Sequence, residues 1–452
     1  MRVDPCARAA AAACALLLSS GCAASYSPSV REQREALQRA ESRAAGASAT
    51  EDPFAGAAVL ERAALVREVL ERNPSIAAAR YAWRAALERA PQESALDDPM
   101  LGFGVAPLSF GADDLDPGMR VDVSQRVPFP GKLALRGEVA AAEAEVASRD
   151  FEAARLRLAG MASRLFDEYY LAARSLAVNA EHVRLLGELQ TVATARYEAG
   201  EAQQQDPLQA EVEHSHALHR DVVLTTRLRV AAEQIQTLLH RPPDALLPPP
   251  PAELLLPAEP VDESDADALV ADALEARPDV AAADARVRAG SSRVDLARRE
   301  FLPDFTVSAA YDTSWQETAL QPFVGLSFDL PLQVGRRRAA LAQAQAELAG
   351  AESEREARVD EARFGVRSGL LREHEARHVL HLMESQQLPA ARDQVAAARA
   401  GFVTGRGEFF SLIDAQRSLL RVELELEEAR ADVCRRRAEL DRALGRVPGV
   451  DW

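Results

Sequence analysis

The chain has 452 residues; alanine, glutamate, leucine and arginine dominate, and aromatic residues make up 5%. That is the composition of long helices or coiled coils. With 70 acidic and 53 basic side chains the net charge is −17, which argues against a nucleic-acid partner and for a well-hydrated outer surface.

Arg2 and Arg8 flank a positive start, residues 9–18 form a short apolar core, and Ser19-Ser20-Gly21-Cys22 places small residues ahead of a cysteine. This pattern resembles a bacterial lipoprotein signal in residues 1–21, with Cys22 acylated as the first mature residue. An ordinary cleaved signal peptide is the alternative reading. Cys6 and Cys14 leave with the signal and Cys22 carries lipid, so Cys434 stands alone and no intrachain disulfide forms. Residues 22–59 read as an extended linker.

Residues 60–93 read as helix, with Leu65, Val69, Ile76 and Ala79 at helical spacing and a break at Pro74. Two strands follow, over 101–110 and 120–127. In the second, Val121, Val123, Gln125 and Val127 alternate with Arg120, Asp122, Ser124 and Arg126, giving one apolar and one polar face. A helix of roughly 67 residues then covers 132–199, on the order of 100 Å at 1.5 Å per residue. Coiled-coil packing is the usual support for such a length. Gly200 ends it, and a second helix returns over 206–240. Residues 242–265 form a proline-rich connector with four consecutive prolines, Pro248 to Pro251.

The order then repeats. A helix covers 266–300 with a break at Pro278, strands cover 304–312 and 323–330, a helix runs over 336–400, and 408–445 returns. In the last strand Val324, Leu326, Phe328 and Leu330 share a face. Landmarks recur at an offset of about 205 residues: Asn73-Pro74 with Arg277-Pro278, Val127-Pro128-Phe129 with Leu330-Pro331-Leu332, and Leu239-His240-Arg241 with Leu444-Gly445-Arg446. The turn segments Tyr197-Glu-Ala-Gly200 and Phe402-Val-Thr-Gly405 recur likewise, as do Asp206-Pro-Leu208 and Ser411-Leu-Ile413. A period this long is a duplicated half-molecule, with repeats over 60–241 and 266–447 and a tail over 448–452.

No later apolar run reaches the ~20 residues of a membrane-spanning helix. The four amphipathic strands are the candidate membrane element. Closed barrels begin at about eight strands, so one copy cannot close alone and strands in lipid require an oligomer.

The repeated helix, strand pair, long helix, glycine turn and return helix, with Tyr197, Gly200 and Asp206 and with Phe402, Gly405 and Asp414, resemble the TolC outer-membrane efflux family. The resemblance implies a mainly α protein with a small β part. Long antiparallel helical hairpins would form a periplasmic α-barrel, and four strands per copy a homotrimeric 12-stranded barrel in outer-membrane lipid. The connector would form its equatorial belt. It further implies a passive exit duct fed by an inner-membrane pump and a periplasmic adaptor, with no cofactor and no enzymatic activity. Asp98-Pro99-Met100-Leu101-Gly102-Phe103 and Val127-Pro-Phe-Pro-Gly-Lys132 are most similar to the CzcC/CusC branch, which exports heavy-metal cations with resistance-nodulation-division (RND) pumps. Multidrug export and type I secretion are the alternative cargoes. A periplasmic adaptor and a lipid-anchored coiled-coil scaffold are the alternative architectures.

Gly200 and Gly405 suit helix ends, where a left-handed backbone is cheap for glycine. Asp206 before Pro207 suits a helix N-cap; the resemblance makes it a constriction-lining residue as well. Ser411 takes the corresponding place in the second turn, which leaves Glu408 and Asp414 as its acidic candidates. Phe402 replaces a frequent tyrosine, and Arg406 lies one position from the usual arginine. His374, His378 and His381 share a helix face, and His214, His216 and His219 form another cluster. Three positions over two turns span about 10 Å, too far to hold one ion alone, so no metal site is assigned. No nucleophile–base or HExxH pattern is present in the sequence. Mass spectrometry of the mature protein is expected to find acylated Cys22 at its N-terminus; an unmodified terminus elsewhere removes the lipoprotein assignment.

Overall fold

The computed structural model of the protein describes residues 27–46, 54, 56–110, 117–243, 245–258, 265–315 and 317–449. Cys22, the signal segment and the last residues of the tail lie outside these. In chain order the elements are α1 (Pro28–Gly46), α2 (Arg62–Arg72), α3 (Pro74–Ser94), β1 (Met100–Val105), β2 (Met119–Val127), α4 (Lys132–Glu198) and α5 (Gln205–Leu238). They continue as α6 (Ala266–Ala276), α7 (Pro278–Arg299), β3 (Phe305–Asp312), β4 (Pro322–Phe328), α8 (Val334–Leu382), α9 (Leu388–Val403) and α10 (Phe409–Ala443). The protein is thus mostly helical with one small sheet, and the second half repeats the order of the first.

Two expectations are corrected. The segment read as an extended linker contains α1, because Val30 and Leu37, seven residues apart, fall on one helical face and are buried. The first strand is also shorter than expected, since Pro107 starts a short 3-10 turn, Pro107–Ser109. A single π turn, Met383–Gln387, joins α8 to α9. Pro389 explains it: the missing N–H and the ring's clash with the carbonyl four residues back are accommodated by widening the helix.

The chain divides into two compact units. One comprises residues 1–41, 80–150 and 281–357, the other 42–79, 151–280 and 358–452. The first contains the whole sheet, an antiparallel meander in the order β1-β2-β3-β4. Its register extends the alternation seen in β2 across every strand. Leu101, Val123, Ala309 and Val324 form one cross-strand row, Phe103, Val121, Tyr311 and Pro322 another, and Val127, Phe305 and Phe328 a third. The intervening rows carry Arg120 with Asp312, Ser124 with Ser308, and Arg126 with Thr306 and Ser327. One face is therefore apolar and the other mostly polar. The apolar face is uncovered: Leu101 is 74% and Val324 76% exposed.

A buried ion hub fastens this sheet to its helices. Lys132, the first residue of α4 and 2% exposed, contacts Asp304 Oδ1 at 2.8 Å, the Leu302 carbonyl at 3.1 Å and Glu300 at 3.4 Å. Asp304 also accepts the Phe129 amide at 2.9 Å and Arg126 at 3.0 Å. Gly131 makes the approach possible: its φ is +89°, and Arg299 crosses where a Cβ would stand, to donate to the Pro130 carbonyl at 2.7 Å. Burial opposes ionisation of Asp304, but Lys132, the Phe129 amide and Arg126 outweigh it and hold the carboxyl below its ordinary range.

In the second unit the duplicated landmarks have equivalent bonds. Asn73 donates to the Leu238 carbonyl at 2.9 Å, and its counterpart Arg277 donates to the Ala443 carbonyl at 3.3 Å. Each thus ties the break before a proline to the end of a return helix. His240 adopts φ +54° where Gly445 has +75°, and both chain reversals close with an amide bond to the carbonyl five residues back. The proline-rich connector is held by its carbonyls, as befits residues without an N–H. Pro248 accepts from Tyr169, Pro249 from the Leu60 amide and Pro257 from Arg377.

Removing one member of the hub leaves a buried charge uncompensated, which costs about 3–5 kcal/mol. Lys132→Ala is expected to lower the thermal midpoint by more than the double variant Lys132→Met/Asp304→Leu. Because the Asp304 carboxyl is depressed, its contribution is complete above the unfolded aspartate pKa of ~3.9 and is lost as pH falls through the folded value. Melting curves across that window, in wild type and Asp304→Asn, check the sign.

Candidate functional site: the paired helix turns

The two glycine turns close α4 onto α5 and α9 onto α10 with the same backbone chemistry. Gly200 has φ +76° and Gly405 +70°. The Gly200 amide donates to Tyr197 O at 2.9 Å and Glu201 to Arg196 O at 2.8 Å; Gly405 donates to Phe402 O at 3.2 Å and Arg406 to Gly401 O at 3.0 Å. These paired bonds satisfy the last carbonyls of each helix in the Schellman pattern. Nothing lies within 4 Å of a Cβ at either glycine, so their requirement is conformational alone. The second turn is tighter: a Cβ on Gly407 would meet the Gly401 carbonyl carbon at 2.9 Å.

Packing joins the two turns, which come from different repeats. Phe402 is 9% exposed and meets Phe409 with ring centroids 5.4 Å apart. Leu186, Ala193, Ala210, Ala217, Leu412 and Ile413 complete this cluster. Arg196 spans the pair: its guanidinium sits 4.7 Å from the Phe402 ring centre and donates to the Phe402 carbonyl at 3.3 Å. Phe402, one of the gate candidates, packs against Phe409 within this cluster.

The charged candidates are placed differently. Asp206 is half-buried as the second residue of α5, two residues past the N-cap; Gln204 occupies the cap position and makes no side-chain capping bond. The positive end of the helix dipole still favours its carboxylate there. Arg406 and Glu408 are exposed, and Glu408 is the extended residue preceding α10, again without a capping bond from its side chain. Asp414 lies one turn further on, in a cavity of about 700 Å³ that also exposes His216, His219, Arg220, Arg417 and Arg421. Arg417 pairs with Glu213 and holds that carboxyl below its ordinary range despite partial burial. Buried His182 meets Glu423 at 3.1 Å. Among the described residues no group of three or more His, Cys, Asp or Glu side chains is arranged to hold a metal ion.

Residues 269–446 match the family model for outer membrane efflux proteins. This second repeat is therefore similar to that family. A comparison with curated proteins found no match. Among solved structures, the outer-membrane channel OprN is 19% identical and superposes with a TM-score of 0.74 over 88% of this chain and 96% of that one. VceC from Vibrio cholerae is 19% identical, with a TM-score of 0.73 over 84% and 95%. CusC is 17% identical, with a TM-score of 0.73 over 88% and 96%. Over most of the chain the fold is that of the TolC-like channels.

Within this TolC-like fold the glycines are the most legible part of the site, because a left-handed helix end has a local signature. Arg196 and the pairs Glu213–Arg417 and His182–Glu423 have none, since each partner comes from a distant helix. Phe402→Ala is expected to destabilise by about 3–5 kcal/mol, as for a buried aromatic. Gly405→Ala is expected to cost about 1 kcal/mol. Thermal or denaturant unfolding measures both, and a larger loss at Gly405 than at Phe402 would contradict this assignment.

Proposed function

We propose that three copies of this chain form the outer-membrane exit duct of a tripartite efflux system. The observation that carries this reading is the sheet. Its apolar rows run unbroken across four strands and are uncovered, while β1 and β4 each leave an edge unpaired. In lipid such edges must be closed by further strands, and three copies supply twelve. The apolar face then meets hydrocarbon, and Arg120, Asp122, Ser124, Arg126 and Ser308 line a water-filled lumen, the alternation of a transmembrane barrel.

The remaining parts follow. Cys22 anchors the mature chain to the membrane. The two repeats contribute helical hairpins to a periplasmic barrel, and the connector forms its belt. An adaptor and an inner-membrane RND pump deliver the cargo and the energy; the duct has no catalytic role and needs no cofactor. Heavy-metal cations are the proposed cargo, on the segments 98–103 and 127–132. The second of these has a structural task, since Lys132 is held by Asp304, so it supports kinship with that branch and not contact with cargo.

At the turns, three copies of Asp206 converge on the threefold axis with Glu408, Asp414 and Arg406 nearby. Like charges in a narrow throat favour cation entry and block by multivalent cations. In single-channel recordings Asp206→Ala is expected to reduce cation selectivity and weaken multivalent block while the trimer persists. Unchanged selectivity removes Asp206 from the constriction, and a conducting monomer removes the trimeric reading. For the cargo, a deletion strain is expected to become sensitive to heavy-metal salts; sensitivity to drugs alone would assign the duct to a multidrug pump.

A further inference from the structure

Inside one chain the second strand of the first repeat pairs with the first strand of the second, and the loop leaving one docks on the segment entering the other. Val127 lies opposite Phe305, Phe129 stacks on Phe305 with centroids 6.1 Å apart, and Lys132 is buried against Asp304. Duplication supplies the same two half-surfaces again, on the outer edges of the sheet. Leu330-Pro331-Leu332, leading to Arg336, corresponds to Val127-Pro128-Phe129, leading to Lys132; Pro99-Met100-Leu101 corresponds to Pro303-Asp304-Phe305. Both are bare: Leu332 is 82% and Met100 70% exposed. Among the described residues, neither Arg336 nor Asp98 forms an ion pair. The two halves have opposite charge and the same apolar character as the internal junction.

We propose that a second copy of this chain covers these surfaces and repeats the internal junction between copies, with Phe328 opposite Phe103 of the neighbouring copy and Arg336 bridging to its Asp98. The inference rests on the trimeric reading and specifies its register. Paired positions in β2 and β3 have numbers that total 432, as for 127 and 305. The exit proline moves up by 203, from 128 to 331, and the entry proline down by 204, from 303 to 99, so partners between copies total 431. This sets Phe328 against Phe103 and Leu326 against Val105, each pair on the apolar face. A slip of one residue would put an apolar row against a polar one. A slip of two keeps the faces but separates the proline landmarks. The bridge shifts slightly: the carboxylate precedes its proline at Asp98 and follows it at Asp304, and arginine's longer side chain and forked donors suit the changed spacing.

Cysteine pairs in the full-length protein test the register, because directly opposed Cβ atoms are ~4.5–5.5 Å apart and diagonal neighbours ~7–8 Å. Cys434 is fully buried, so it does not compete. Phe328→Cys is combined in turn with Leu101→Cys, Phe103→Cys and Val105→Cys, oxidised in membranes and resolved on non-reducing gels. The Phe103 pair is expected to give covalent trimer at least tenfold more efficiently than the others. Dominance of another pair, or no cross-link in a protein that still elutes as a trimer, overturns the register while leaving the duct reading intact; elution as a conducting monomer overturns both. For the bridge, Arg336→Glu and Asp98→Arg are each expected to lower the trimer fraction in mild detergent, and their combination to restore it. A double variant no better than the singles overturns the bridge.

Discussion

A backbone amide or carbonyl in hydrocarbon has no water to turn to, and each one left unpaired costs several kcal/mol. The proposed duct is organised around that constraint. The sheet's six internal edges are paired, its two outer edges are not, and one face carries exposed apolar rows. A soluble protein would blunt such edges with charge or proline. Here Pro322 stands only at the beginning of β4, and the rest of both edge strands remains open for pairing.

Duplication turns this constraint into geometry. One repeat presents an exit strand and an entry strand, and the linkage of two repeats in one chain joins one exit to one entry permanently. Lys132 and Asp304 mark that covalently tethered seam, where a buried ion pair is tolerable because each charge has several hydrogen-bond partners. The helical landmarks show the same economy: Asn73 and Arg277 differ in chemistry yet donate to equivalent carbonyls. The duplicated chain has kept the bond and changed the donor.

Much of this architecture was legible in the sequence because its signals are local. Alternation in β2 and β4, prolines at the helix breaks, and glycines at the turns each specify a backbone state without reference to distant residues. In the helix over residues 28–46, Val30 and Leu37 are the buried apolar positions among the described residues, too sparse a pattern to mark a face in the sequence. At the turns, the left-handed glycines are legible in the sequence and the burial of Phe402 is not. Its burial depends on Arg196 and Phe409, and a cation 206 positions away in the chain leaves no periodic trace. Asp206 was read as a cap because proline follows it, yet the helix begins a residue earlier, at Gln205.

The proline-rich strap has a further consequence. Its carbonyls accept bonds from tyrosine, arginine and a backbone amide, but a run of prolines has almost no donors to offer in return. Such a segment can be gripped by its own helices and cannot act as a template for a foreign strand. A strap of this kind is a one-way surface, accepting hydrogen bonds and offering few. It allows an extended chain to lie on a helical body without creating a second adhesive edge.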